Sequence, residues 1–135
     1  MNVFTLALHA YQQQQRFDDT ESFVGEDASG SFGIQAQHAR MMSSLVFGLA
    51  RFRRGEGDWI YLAVPGGLVY FRDNTLRIIT RRYFLDSDYD RISRTLTEEL
   101  LAEETKLSAI KQSLRHMEED LLKQMWLLRR EIGTI

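Results

Sequence analysis

The chain of 135 residues carries 17 basic and 19 acidic side chains, a formal net charge of −2, which argues against nucleic-acid binding because that function requires clustered positive charge. It contains no cysteine, which excludes disulfide bonds and thiolate metal sites. Because the sequence has neither a run of about 18 apolar residues nor a secretory signal pattern, we expect a cytosolic protein that reaches a membrane only through a partner.

The first part of the chain, residues 3–84, has the pattern of antiparallel strands. Short runs rich in β-branched and aromatic residues are separated by glycine, proline, aspartate and asparagine, which favour turns. The turns recur at intervals of roughly 8–12 residues, a spacing typical of a sandwich or barrel. The predicted strands cover residues 3–8, 22–24, 44–52, 59–64, 68–71 and 76–80.

A stretch between the second and third predicted strands is punctuated by Gly25, Gly30 and Gly33. Ile34 and Gln35 follow the last glycine, whereas a phosphate-binding Walker loop needs Lys followed by Ser or Thr there. A dinucleotide-binding fingerprint needs a helix after its glycines, and here strands are predicted on both sides. We therefore interpret the stretch as a loop whose glycines adopt positive φ angles.

His38 is the candidate for acid–base catalysis that the sequence offers first. No cysteine accompanies it, His9 and His116 lie in separate predicted elements, and no Gly-x-Ser-x-Gly nucleophile motif occurs. We interpret His38 as a structural or interface residue and expect neither a catalytic site nor a bound metal. A small hydrolase that uses His38 is the least favoured alternative, because no nucleophile can be placed beside it.

The apolar period changes after Leu85, where a helical tail is predicted to begin. Ser87 and Asp90 form a capping-box pattern, and neither proline nor glycine follows until Gly133. Positions counted alternately three and four residues apart are apolar in eight of ten cases, which is typical of a coiled-coil or helical-hairpin seam. The ten positions are Leu96, Leu100, Glu103, Leu107, Ile110, Leu114, Met117, Leu121, Gln124 and Leu128.

The charges along the tail favour a hairpin over a single helix. A segment with four glutamates, 98–104, precedes a basic segment, 106–116, and folding back near Thr105 would place the two against each other. One continuous helix of about 45 residues, some 65 Å long, is the alternative. The predicted fold is therefore α+β, with an antiparallel β-sandwich over residues 1–85 and a helical hairpin (or long helix) over 86–135.

Near the end of the tail, apolar residues cover more than one face of the predicted helix. A fully solvated helix would not carry them, so we expect them to dock on the sandwich or, as the alternative, on a partner. They are Leu121, Leu122, Met125, Trp126, Leu127 and Leu128.

The ordered set of motifs resembles the epsilon subunit of F-type ATP synthases. Members of that family have a glycine-spaced segment that ends in Gly-Ile-x-Pro-x-His-Ala-Pro, and here Gly33-Ile34 precedes His38-Ala39 at the same spacing. Residues 61–69 are similar to the family's apolar strands around a glycine pair, and residues 73–78 are similar to its next hairpin. The helical tail also matches in place and length, so the resemblance covers nearly the whole chain.

The resemblance implies a ten-stranded β-sandwich followed by a two-helix hairpin, in a central-stalk rotor subunit without a catalytic site or cofactor of its own. Such subunits bind the gamma subunit through the sandwich and rest on the c-ring. Their tail can reach the alpha/beta head and restrain ATP hydrolysis. The implied location is peripheral, on the cytoplasmic face of the prokaryotic inner membrane, held there by the complex. The implied c-ring and gamma interface comprises Gly30, Ser31, Phe32, Gly33, His38 and Arg40, and the implied regulatory tail comprises Lys123, Trp126, Arg129 and Arg130.

Several positions depart from the family pattern. Ala36 and Arg40 replace the two prolines around the histidine, and Ser31 replaces a common acidic residue. Some members bind ATP through an Ile/Leu-Asp-x-x-Arg-Ala motif, of which only Asp88 and Arg91 are present, so nucleotide binding is not favoured here. The departures point to a divergent branch, such as the alternate type of F-type ATPase that some prokaryotes carry beside the standard one.

The residues alone leave a second function open. The apolar seam of the tail also fits an intermolecular coiled coil. A β-sandwich binding module that self-associates through residues 90–130 is therefore the alternative to a rotor subunit.

Overall fold

A computed structural model describes the backbone of residues 2–133 and the side chains of residues 2–130. The described residues form nine strands: β1 (Phe4–Ala10), β2 (Gln13–Asp27), β3 (Gly30–Gln35), β4 (Met41–Leu45), β5 (Gly48–Arg54), β6 (Trp59–Val64), β7 (Gly67–Arg72), β8 (Thr75–Ile79) and β9 (Phe84–Asp86). The helical part that follows comprises α1 (Tyr89–Thr95), a π-helical segment (Leu96–Leu101) and α2 (Ala102–Gly133).

The long strand β2 takes part in both layers of the sandwich. Its first half pairs with β1, and the first layer continues through β8, β7 and β4. Its second half pairs with β3 and β5, and the second layer continues through β6 and β9. The register shifts near Thr20, whose side chain is buried and donates a hydrogen bond to the Phe17 carbonyl oxygen at 3.1 Å. A bulge of this kind bends a strand, which lets β2 serve both layers.

The core lies between the two layers and is filled by alternate side chains of the strands. Leu6 and Leu8 of β1, Phe52 of β5 and Ile78 of β8 are fully buried, as the period-two pattern of a half-solvated strand requires. Burial of each such side chain contributes about 1.5–3 kcal/mol of hydrophobic free energy.

The hairpin between β7 and β8 fixes one end of the sandwich. Asp73 and Asn74 both have positive φ angles, 52° and 55°, which is typical of a two-residue type I′ turn. The Asn74 side chain accepts a hydrogen bond from the Gln37 backbone N–H at 2.8 Å and donates one to the Val3 carbonyl oxygen at 2.9 Å. This one side chain therefore joins the β7–β8 turn to the segment after β3 and to the start of the chain.

The tail is a single long helical run, so the predicted hairpin is wrong and the alternative of one long helix is correct. No turn interrupts the helical segments between Tyr89 and Gly133. The absence of glycine and proline near Thr105 outweighs the weak exposed charge pairs that favoured folding back. Asp88, and not Ser87, is the N-cap residue, and its carboxylate accepts a hydrogen bond from the Arg91 backbone N–H at 3.1 Å.

The chain divides into two compact units, of which the first ends at Leu101 and the second begins at Ala102. The first unit therefore includes α1 and the π segment as well as the strands. Ile92 and Leu100 are buried and pack with Ala63 of β6 in a second hydrophobic cluster. Leu100 was predicted to belong to a coiled-coil or helical-hairpin seam, and it packs instead on the sandwich.

Several strand predictions are corrected by the structure. Residues 44–52 form parts of two strands, because the chain leaves β4 after Leu45 and begins β5 at Gly48, with Val46 and Phe47 between them. The predicted glycine loop is a hairpin of β2 and β3, in which Gly30, at a φ of 127°, is the glycine with a positive φ angle. The resemblance implied ten strands, whereas nine are present among residues 2–133, with β2 counted once although it serves both layers.

Candidate interaction surfaces

The β2–β3 hairpin carries the first four of the predicted interface residues. Gly30 begins β3, and Ser31 and Gly33 are exposed along the strand. The half-buried ring of Phe32 lies 6.2 Å from the ring of Phe23, measured between centroids. Local packing thus anchors the hairpin through Phe32 and leaves Ser31 and Gly33 free to contact a partner.

His38 lies in the turn after β3, where it packs against its own chain. Its exposed ring meets Phe71 almost at right angles, with centroids 5.7 Å apart. Its Nδ1 is 2.7 Å from the Ala39 carbonyl oxygen, to which the protonated nitrogen can donate. These contacts orient the ring, which fits a structural or interface role.

The predicted interface residues do not form one cluster. β3 has 6 residues, and a strand of that length extends about 17 Å. Gly30 therefore lies at one end of β3, and His38 and Arg40 follow its other end. One flat partner surface would have to run along the whole strand to contact all of them.

A basic face on the first layer was missed by the sequence analysis. Tyr70 of β7 hydrogen-bonds with the guanidinium groups of Arg72 and Arg40, and these bonds lower the pKa of its phenol below the ordinary value. Arg77 of β8 pairs with Tyr70 in register and is exposed on the same face. Exposed apolar side chains on this face increase its capacity to bind a protein. The basic face comprises Arg40, Met42, Leu68, Tyr70, Arg72, Arg77 and Ile79.

The alternation of residues in β7 and β8 could have revealed this face. Leu68, Tyr70 and Arg72 are two residues apart, as are Arg77 and Ile79, so each set must project from one side of its strand. The sequence did not show which strand lies beside which, and hence it did not show that the arginines come together.

The two residues of the residual nucleotide motif are engaged within the chain. The Arg91 guanidinium forms a bidentate ion pair with the Asp86 carboxylate, in which Nη2 lies 2.7 Å from Oδ1. Asp88 is the N-cap residue of α1. The bonds from Arg91 and, secondly, from the Asp88 backbone N–H lower the pKa of Asp86 to about 2. Asp88 and Arg91 thus form part of the helix start, and a nucleotide would have to displace these contacts.

The predicted regulatory residues lie on α2 and are exposed. The Arg130 guanidinium carbon is 5.5 Å from the Trp126 ring centroid, a cation–π distance. Lys123 and Arg129 lie on the same part of the helix, exposed. The six apolar residues near the end of the helix are 41–61% exposed, and their docking stays a prediction.

The described residues contain neither a membrane-spanning helix nor a cluster of metal ligands. Between residues 2 and 133, no helix has both the length and the apolar composition needed to cross a membrane. Within the same part of the chain, no group of three or more histidine, aspartate or glutamate side chains is arranged to hold a metal ion.

Comparison with known proteins connects the sandwich to one family. Residues 4–85 match the family model of the ATP synthase delta/epsilon chain β-sandwich domain. The ATP synthase epsilon chain of Leptospira borgpetersenii is 33% identical over 90 residues, which cover 67% of this chain and 68% of that protein. The epsilon chain of Leptospira interrogans is 33% identical over 72 residues, 53% of this chain and 56% of that protein. ATP synthase epsilon chain 2 of Cereibacter sphaeroides is 42% identical over 48 residues, 36% of this chain and 33% of the relative. The chain thus spans from one third to about two thirds of the length of these relatives.

Solved structures share the fold at lower sequence identity. A chain of the Euglena gracilis mitochondrial ATP synthase, from a structure of OSCP, F1 and c-ring, has a TM-score of 0.55 and 16% identity over 72% of this chain and 62% of its own length. A chain of the Tetrahymena thermophila mitochondrial ATP synthase, from a structure of the central stalk and c-ring, has a TM-score of 0.51 and 19% identity, over 75% of this chain and 95% of its own length.

Proposed function

Because the chain belongs to the family of ATP synthase epsilon subunits, we propose that it is a non-catalytic rotor subunit that links the central stalk to the c-ring and regulates ATP hydrolysis. The observation that carries the proposal is the family match over residues 4–85, which coincides with the strands of the sandwich. The gamma subunit and the c-ring are the proposed partners, with the alpha/beta head as a further partner of the tail. The protein is proposed to lie on the cytoplasmic side of the membrane, attached through these subunits.

The basic face is the surface we propose for gamma. It combines three arginines, Arg40, Arg72 and Arg77, with exposed apolar side chains, of which Met42 and Ile79 are 64% and 51% exposed. Apolar contacts supply the association free energy, and the arginines select an acidic partner and speed the encounter. A passive rotor part transmits torque through such a contact area and requires no chemistry of its own.

The β2–β3 hairpin and the turn after it are proposed to contact the c-ring. Ser31 and Gly33 offer exposed strand backbone and small side chains, and His38 and Arg40 offer polar groups at the other end of β3. Since Ser31 stands where the family often has a carboxylate, we expect this contact to depend on hydrogen bonds more than on charge.

The exposed α2 helix is proposed to restrain hydrolysis. Lys123, Arg129 and Arg130 would bind acidic surfaces of the catalytic head, while the apolar residues around Trp126 pack against the stalk. Truncation after Leu101 removes α2 and keeps the buried Leu100. In the assembled complex, we expect this truncation to raise ATP hydrolysis; unchanged hydrolysis would remove the regulatory part of the proposal and leave the structural part.

The assignment as a rotor subunit is tested by co-expression with the cognate gamma subunit. We expect one co-eluting complex in size-exclusion chromatography at micromolar concentration, and separate elution would contradict the proposal. Arg77→Glu should weaken the complex, since it reverses the charge at the centre of the basic face. Arg94→Glu is the matched control, because Arg94 is an exposed arginine of α1 outside that face.

A hydrolase that uses His38 is tested with the purified chain alone. We expect the chain to show no hydrolytic turnover, because no nucleophile can be placed beside the imidazole. Turnover by the purified chain that His38→Ala abolishes would instead identify a catalytic histidine.

A further inference from the structure

The α2 helix carries an exposed apolar seam, and the first four members of the seam lie outside the apolar residues around Trp126 that are proposed to pack against the stalk. From Leu107 onward, residues spaced alternately three and four apart lie along one side of the helix, as in a coiled-coil interface. Exposure of the apolar members after Leu107 ranges from 46% to 66%. The seam comprises Leu107, Ile110, Leu114, Met117, Leu121, Gln124 and Leu128.

We propose that this seam pairs with the seam of a second copy of the same chain, with the two α2 helices antiparallel. The pairing concerns the free subunit and does not rest on the rotor assignment. Between Leu107 and Gln124 each helix contributes a contact about 26 Å long, at 1.5 Å per residue.

One antiparallel register places apolar residues opposite each other throughout the centre. Leu114 of one copy faces Met117 of the other, and Ile110 of one copy faces Leu121 of the other. Because the two-fold axis repeats each pair, four apolar layers follow one another along the interface. The next layers outward place Leu107 opposite Gln124. The polar residue therefore lies away from the centre, where its amide can remain hydrated.

In the same register the charges beside the seam are complementary. Lys111 lies beside Glu118 of the second copy, and the two-fold axis repeats the pair. Both side chains are exposed, and neither forms an ion pair within 4 Å in the part of the chain that the structure describes. Both are therefore available for a contact between copies.

A parallel pair would be opposed by like charges. It would bring Lys106 of one copy beside Lys111 of the other, on both sides of the seam. The direction of pairing is thus decided by charge, whereas the apolar seam alone would permit both directions.

Sedimentation velocity of the full-length chain across the micromolar range tests the pairing. We expect a reversible monomer–dimer equilibrium, and Leu114→Glu should weaken the dimer by about tenfold or more because it puts a carboxylate into the central layers. Leu122→Glu is the matched control, since Leu122 is 59% exposed against 58% for Leu114 and lies off the seam. It should leave the dimer unchanged.

A charge exchange tests the direction of the helices. In the antiparallel pair, Lys111→Glu places Glu beside Glu118 and should weaken the dimer several-fold, and adding Glu118→Lys should restore it. In a parallel pair, Lys111→Glu would relieve the repulsion by Lys106 and strengthen the dimer, so the two arrangements predict opposite signs.

The proposal is overturned by any of three results. The parent chain could remain monomeric at the highest concentration, Leu122→Glu could disrupt the dimer as strongly as Leu114→Glu, or Lys111→Glu could strengthen the dimer. None of them bears on whether the subunit binds gamma.

Discussion

At the scale of single residues, Gly25 and Gly33 show that neighbouring glycines of one hairpin can serve different purposes. A Cβ atom at Gly25 would lie 2.9–3.0 Å from side-chain atoms of Leu45, Phe23 and Phe32. A Cβ atom at Gly33 would find its nearest neighbour, the Phe23 carbonyl oxygen, at 3.8 Å. Gly25 is thus required for core packing, whereas Gly33 is open to substitution.

Gly25→Ala should therefore destabilise the protein by about 1–3 kcal/mol through overpacking. Gly33→Ala should change the free energy of unfolding by less than about 0.5 kcal/mol. Denaturant titrations followed by circular dichroism measure both values. Equal effects of the two variants would contradict this account of the hairpin.

The ion pair of Asp86 and Arg91 predicts that the folding stability of the protein decreases in acid. The folded-state pKa of Asp86 is about 2, below its ordinary value of 3.8, because Arg91 and the Asp88 backbone N–H bind the ionised form. The ionised Asp86 carboxylate therefore contributes its full stabilisation of the folded state above the ordinary pKa. This stabilisation is lost as the pH falls from about 4 towards 2.

NMR titration of the Asp86 carboxyl carbon should give a midpoint near the lower value in the parent and a higher midpoint in Arg91→Met. Thermal melts should show that Asp86→Asn removes part of the acid sensitivity between pH values of about 2 and 4. A common midpoint for the parent and Arg91→Met would show that the arginine does not control this carboxylate.

At the scale of elements, the π segment joins the helix to the sandwich through one face. Leu100 is fully buried, whereas the adjacent Leu101 is 46% exposed. The two leucines form a natural comparison, because they share residue type and helical context and differ in what they contact.

Leu100→Ala should destabilise the protein by about 2–5 kcal/mol, because it leaves a cavity beside Ala63 and Ile92. Leu101→Ala should have an effect below about 1 kcal/mol, since nearly half of that side chain is already exposed to water. Urea unfolding of the two variants distinguishes the outcomes. Similar losses would mean that Leu100 does not pack on the sandwich in solution.

At the scale of the whole molecule, the compact unit and the family match end at different residues. The family model stops at residue 85, whereas the first compact unit extends to Leu101. The difference consists of β9's last residue, α1 and the π segment, which place Ile92 and Leu100 in a buried cluster.

A chain truncated after Leu101 should therefore keep the melting temperature of the full chain within a few degrees. Truncation after Leu85 should lower the melting temperature clearly, because it removes the buried side chains of Ile92 and Leu100. Burial of each contributes about 1.5–3 kcal/mol of hydrophobic free energy. Thermal melts monitored in the β-sheet region of the circular dichroism spectrum make the comparison. If the shorter chain were as stable as the longer one, the predicted boundary at residue 85 would be the better description.

The sequence by itself determined the division into an N-terminal strand region and a C-terminal helical region, because that information is local, but it missed β3 and merged β4 with β5. Turn residues such as Pro65 and Asp73 separate the strands, the capping-box pattern at Ser87 marks the helix start to within one residue, and the lack of glycine and proline keeps the tail helical. The ordered set of motifs, from the glycine-spaced segment to the helical tail, was also sufficient to identify the family.

Tertiary structure alone decided how those elements meet. Period two shows that Tyr70 and Arg77 each project from one side of a strand, but only strand pairing places them beside each other on the basic face. The spacing of Leu100 fits an exposed seam as well as a buried contact, and packing on Ala63 made the choice. Hydrophobic periodicity shows which side chains of a segment are buried. It does not show which residues bury them, because those residues lie far away in the sequence.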